Sequence, residues 1–211
     1  ASATLVASMV AFVATASGAA PPGAPASPSA PGTAAPAARA LEFVIDTKVS
    51  QLGFTITRPG ETVEGQAPTW SGRVRLDPAH PDAGAGVTLE IDPATMVTGN
   101  RIRDHNMKSG HLEVDQYPKI AFRSTALHTP ADPWRPGETR KCDLEGVLDL
   151  HGVQRPLKIP LTLRYDEGSV TADGATAFTL TEFGIPIPKI FWIVLDDKVT
   201  VTFHAVAKSA P

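Results

Sequence analysis

Six histidines and a single cysteine are the side chains of this 211-residue chain best suited to metal binding or covalent chemistry. His105 and His111 lie six residues apart, which misses the i, i+4 spacing of a helical zinc pair. His151 is followed by Gly152, a dipeptide that reads as a turn, so a three-histidine site from His105, His111 and His151 has no spacing behind it. Cys142 has no partner for an intrachain disulfide, and a chain with one cysteine holds no cysteine-rich zinc or iron–sulfur centre. It stands between Lys141 and Asp143 with no histidine close in sequence, and no G-x-S-x-G elbow occurs. Asp196 and Asp197 are adjacent, so on a strand they face opposite ways and share no substrate. They are better placed to start the strand that follows. The expectation is a protein that is not an enzyme, with no metal and no cofactor.

The chemistry that remains is burial. Residues 185–195, IPIPKIFWIVL, hold eight apolar residues besides two prolines. Proline lacks the ladder donor, so this is a poor central strand, yet it is too apolar for a solvated loop. Three readings stay open: a core segment closing one end of the fold, a flap lining a pocket for a greasy chain, and transient contact with a membrane. Arg101, Arg103 and Lys108, around the helix expected over 100–112, suggest a phosphate or headgroup partner at the mouth, while Asp104 among them fits a solvated mixed face instead. Arg103 is the one best suited to a phosphate or headgroup, because guanidinium binds such groups in bidentate fashion.

Such residues need a frame, and its signal is alternation. Val87, Leu89 and Ile91 share one face of a strand, as do Val199, Val201 and Phe203. Leu157, Ile159, Leu161 and Leu163 form a third set, and Thr176, Phe178 and Leu180 a fourth. Half-buried antiparallel strands read this way. Further strands are expected over 41–46, 51–57, 70–76, 119–127 and 140–150. His151-Gly152 is expected to be a tight hairpin turn. Residues 100–112 lack the alternation and are expected to be helical. The fold class is all-β, a sandwich or a barrel, which alternation alone does not separate; about eight strands in some 170 residues suit an up-and-down antiparallel barrel with one short helix, a size that can hold one small ligand in its lumen.

Charge and composition set the context. The net charge is −3, too acidic for a nucleic-acid partner, which asks for a basic face. Residues 1–40 contain one charged residue, Arg39. Within them, 5–16 read LVASMVAFVATA, too short to span a bilayer but matching the core and Ala14-Thr15-Ala16 cleavage site of a secretory signal. Residues 17–40 are mostly Ala and Pro and read as an extended spacer. The expected plan is a signal-like segment (1–16), a disordered linker (17–40) and a folded domain (41–208), periplasmic or secreted.

Four ordered motifs then carry a resemblance. They are VEG at 63–65, RIRDHNMKSGHLEVDQYPKIAFRST at 101–125, LEGVLDLHGVQRPLKIPL at 144–161, and TEFGIPIP at 181–188 with LDDKVTVTF at 195–203. Over about 43–207 the chain resembles the YceI-like family of exported bacterial proteins. The central motif falls on Arg103, Asp104, Met107, Leu112, Tyr117, Pro118, Phe122 and Ser124, the hairpin motif on Gly146, His151, Gly152 and Val153, and the late one on Phe183 and Gly184. Val49-Ser50 stands where the family often has His-Ser. The resemblance implies a lipocalin-like barrel that binds a long-chain amphiphile such as a polyisoprenoid or quinone, held as cargo. Met107, Phe183, Ile185, Ile190, Phe191 and Trp192 are the candidate contacts for its chain, with Arg103 at the headgroup. The alternative is an interaction module with a filled lumen that docks a partner through 185–195.

Overall fold

The computed structural model describes residues 40–58, 60–187, 189–190, 193–194 and 196–210. The signal-like segment and almost all of the linker lie outside them, as do Phe191, Trp192 and the side chain of Ile190.

Strands β1 (Leu41–Ile45), β2 (Gln51–Arg58), β3 (Glu61–Gln66), β4 (Trp70–Leu76) and β5 (Gly86–Ile91) precede the helical segment. Strands β6 (Ile120–His128), β7 (Thr139–Leu150), β8 (Val153–Asp166), β9 (Ser169–Thr179) and β12 (Lys198–Ser209) follow it. Between the last two lies a two-stranded ribbon, β10 (Lys189–Ile190) with β11 (Ile193–Val194). All the ladders are antiparallel, and β1 bonds to β4 on one edge and β12 on the other. The ring β1-β4-β5-β6-β7-β8-β9-β12 therefore closes into an eight-stranded barrel, with the β2–β3 hairpin attached to β12 beyond β1. Closure removes the exposed edges that an open sheet would present.

The alternation seen in sequence is realised strand by strand. In β7 every even residue from Cys142 to Leu150 is buried and the odd ones are partly exposed. Two serines repair places where the ladder breaks. Between β1 and β2, Ser50 is buried; its hydroxyl donates to Asp46 O (2.7 Å) and accepts from Val206 N–H (2.9 Å). At the bulge in β6, Ser124 Oγ accepts the Val87 N–H at 2.7 Å. Each satisfies backbone groups that a regular partner strand would have bonded.

The β7–β8 turn matches expectation and adds a second strained residue. Both His151 (φ 54°) and Gly152 (φ 72°) are left-handed, the backbone of a type I′ turn. Strand β8 begins earlier than its alternating run, at Val153, and includes Pro156 and Pro160. They are tolerated because β8 pairs with β9 only from Leu161 onward, so no ladder donor is missing there. Strand β3, six residues long and close behind β2, had no separate expectation in sequence.

One end of the barrel is covered by the β6–β7 connection. Trp134, almost fully buried, donates its backbone N–H to Pro78 O (2.6 Å) and its indole N–H to Glu138 O (3.1 Å). Arg140 stacks on that ring and donates to the carbonyls of Asp132 and Pro133. Its bond to Glu138 (2.8 Å) holds that carboxyl below the usual range.

Candidate functional site

At the other end lies helix α1 (Arg101–Asn106), which runs on into a π-helical turn over Met107–His111. Its start follows from the sequence. Asn100 caps it, its side-chain oxygen accepting from the N–H groups of Ile102 and Arg103 at 3.1 Å each. Arg103 and Asp104 both grip Thr98. The Arg103 guanidinium donates to Thr98 Oγ1 (2.7 Å) and Thr98 O (2.8 Å), while buried Asp104 accepts from Thr98 N–H (2.7 Å) and from its hydroxyl. Arg103 also stands 3.8 Å from Glu61 on β3. The helix is thereby tied to the chain entering it and to the β2–β3 hairpin.

Two further contacts fix the helical segment. His111 Nδ1 lies 3.2 Å from Pro186 O, and since a carbonyl only accepts, that nitrogen carries the proton. Beyond the π turn, Glu113 (φ 45°) meets His151 at 2.8 Å, and the Tyr117 ring packs on the same imidazole at 4.2 Å. The two non-glycine residues with left-handed backbone among the described residues are thus bonded to each other.

Beneath this cover is a cavity of about 610 Å³ that runs the length of the barrel. That volume falls within the span typical of small-molecule sites, roughly 300–1,000 Å³. Its walls are the inward faces identified by alternation: Val87, Leu89 and Ile91 on β5, and Val199, Val201 and Phe203 on β12. The polar wall groups gather at one end, where Thr98, Asn100, Arg103, Asn106 and His111 line the rim. Arg75, Thr176 and the indole of Trp70 are the other side chains in the wall that carry polar atoms. Leu52, Phe54, Leu89, Leu157 and Phe203 point inward yet stay only half-buried. In a lumen filled by its own side chains these would be fully covered.

The residues singled out in sequence fall as follows. Met107, Ile185 and Arg103 line the cavity. Phe183 is buried at the same end but packs edge-on against Phe178, ring centres 5.3 Å apart, and is not part of the wall. Phe191 and Trp192 lie outside the described residues. Thr98, Asn100 and Asn106 were missed, because short polar residues beside a helix start look like ordinary caps. His105, His111 and His151 do not converge: two of them are bonded to Pro186 O and Glu113, and no group of three metal-ligating side chains occurs among the described residues. Asp197 accepts from the N–H and hydroxyl of Thr181, and Asp196 from Lys198 N–H, so the pair does organise the start of β12. Cys142 is buried on the inward face of β7, and burial pushes its thiol upward, outweighing Thr129 and Arg140. No helix among the described residues is long and apolar enough to cross a membrane.

Comparison with known proteins gives one consistent picture. The model of the YceI-like domain matches residues 43–207. A UPF0312 protein of Pseudomonas syringae pv. tomato is 29% identical over 171 residues, 78% of this chain and 81% of its own length. Among solved structures, BcnA of Burkholderia cenocepacia superposes with a TM-score of 0.68 at 21% identity, over 78% of this chain and 99% of that one. A polyisoprenoid binding domain from Saccharophagus degradans, implicated in plant cell wall breakdown, gives 0.64 at 17% identity, over 81% and 99%.

Proposed function

The chain belongs to the YceI-like family, and from that membership we propose that its barrel binds a long-chain amphiphilic lipid without catalysis, for carriage or storage. A polyisoprenoid or a quinone is the class of cargo that fits. The chain lies in the lumen and the headgroup meets the polar rim at α1. One observation carries this reading: inward apolar side chains such as Leu52, Phe54 and Phe203 remain half-buried around about 610 Å³ of open lumen. An open apolar lumen supports cargo over the alternative of a plugged barrel that docks a partner through 185–195. The relative from Saccharophagus degradans, described as a polyisoprenoid binding domain, supports the same class.

In this reading Met107 and Ile185 touch the hydrocarbon near the rim, and Phe183 backs them from behind Phe178. Ile190, Phe191 and Trp192, apolar neighbours in sequence, add to the same contact. Arg103, which lines the cavity while holding Thr98 and facing Glu61, is the cation that meets the headgroup. Burial supplies the affinity, at ~0.8 kcal/mol per CH₂. The test is a titration of delipidated protein with prenols of increasing length. Affinity should climb about four-fold per buried CH₂ until the lumen is full, then level off. Affinity indifferent to chain length would contradict the proposal.

The signal-like 1–16 segment and the Ala/Pro spacer support a place in the periplasm or outside the cell. N-terminal sequencing of exported protein should then start near Ser17 or Ala20, and exported material still starting at Ala1 would count against it.

A further inference from the structure

We infer that the outward face of the helical segment 101–111 is a docking surface for an anionic lipid bilayer, a contact whose purpose rests on the lipid-carrying reading above. Ile102 carries the argument. It is 77% exposed, the most exposed large apolar side chain among the described residues. It also lines the cavity, as do exposed Asn106 on the same segment and exposed Asn100 that caps it. The apolar lumen therefore reaches the surface where an apolar side chain projects into solvent. An isolated exposed isoleucine needs no explanation; one at the rim of an apolar cavity does.

Charge selects the partner. The only acid in 101–111 is Asp104, and it is buried against Thr98. The segment then offers exposed Arg101 and half-buried Lys108, neither of which forms an ion pair among the described residues. Of the acids close by, Glu113 is engaged by His151 at 2.8 Å and Glu61 by Arg103 at 3.8 Å, while Asp115, beyond the segment, is exposed. A protein with net charge −3 thus presents a cationic, isoleucine-tipped face at a place where its lumen reaches the surface. An anionic bilayer complements both features, taking the isoleucine into its interfacial region and the two cations at its phosphates. A long-chain lipid has almost no free concentration in water, so a mouth that rests on the membrane is where cargo passes in or out.

The test is flotation of the full chain with vesicles of phosphatidylcholine containing phosphatidylglycerol, against vesicles of phosphatidylcholine alone. The protein should float with the anionic vesicles, less with the neutral ones, and the difference should shrink at high salt. Arg101→Gln with Lys108→Gln should weaken partitioning about 25-fold, and Arg101→Glu with Lys108→Glu further. Ile102→Asp should also release the protein. Neither cation lines the cavity, so both pairs of charge variants should still take up a fluorescent geranylgeranyl probe in vesicle-free buffer, which certifies that they are folded. Equal flotation of wild type and charge variants, or no flotation of wild type with anionic vesicles, would overturn the docking surface. Failure of wild type to take up the probe would instead strike at the lipid-carrying reading and leave the flotation result standing on its own.

Discussion

Arg103 and Asp104 are neighbours in sequence, and in the structure both hold Thr98, one as donor and one as acceptor. Arg103 was legible in sequence as a cation near an apolar mouth. That its guanidinium also serves the fold was not, since Thr98 carries no signal until the chain turns back on it. Cys142 was legible as a strand thiol, and burial gives that reading a measurable consequence. The thiol is raised above its ordinary value, so it stays protonated in the folded protein at mildly alkaline pH. An aromatic disulfide reagent should leave it untouched under native conditions and label it at once in denaturant. Because its folded value exceeds its unfolded one, the thiol contributes its full share of stability below the unfolded value. That contribution disappears as pH rises through the folded one. Rapid labelling of folded protein would mean that Cys142 is not on the inward face of β7.

The strands were legible because alternation leaves a period-two trace, and the helix because it interrupts that trace. Less legible was how irregular places are mended. Ser50 and Ser124 look like unremarkable polar residues in sequence, yet each restores a backbone bond lost at a break. Glycines in the strands follow a second rule. A Cβ on Gly65 would fall 2.1 Å from the Phe54 ring, one on Gly146 would fall 2.4 Å from Phe122, and one on Gly174 would fall 2.6 Å from Phe203. Phe54 and Gly65 are direct cross-strand partners, as are Phe203 and Gly174. Rings lie flat over bare backbone, which gives the VEG at 63–65 a structural role although nothing in it is chemically reactive. Gly65→Ala should therefore tip the Phe54 ring into the lumen and cost ~1–3 kcal/mol in denaturant unfolding. Adding Phe54→Leu to it should recover part of the loss. A Gly65→Ala protein as stable as wild type would show that the ring does not lie where described.

At the scale of the whole molecule, one end is covered by a connecting segment and the other carries most of the polar wall. Trp134, Arg140 and Glu138 cover the first; α1, the β2–β3 hairpin and the 181–187 segment frame the second, where the polar groups of the wall collect. Sequence periodicity could announce half-buried antiparallel strands but not separate a barrel from a sandwich, nor say whether a lumen is filled, because that depends on how inward side chains from eight strands mesh across the interior. Phe54 and Phe203 lie back over glycines instead of reaching across, and this leaves the space open. The central claim is that this space holds a lipid chain. It is tested most directly by mass spectrometry of an organic extract from protein purified without detergent, beside a variant whose lumen is narrowed by Leu89→Trp. The wild-type extract should contain a long-chain prenyl lipid or quinone in near-stoichiometric amount, and the narrowed variant, still folded, should have lost it. A wild-type extract free of any long-chain lipid, or one equally rich in the narrowed variant, would contradict the account.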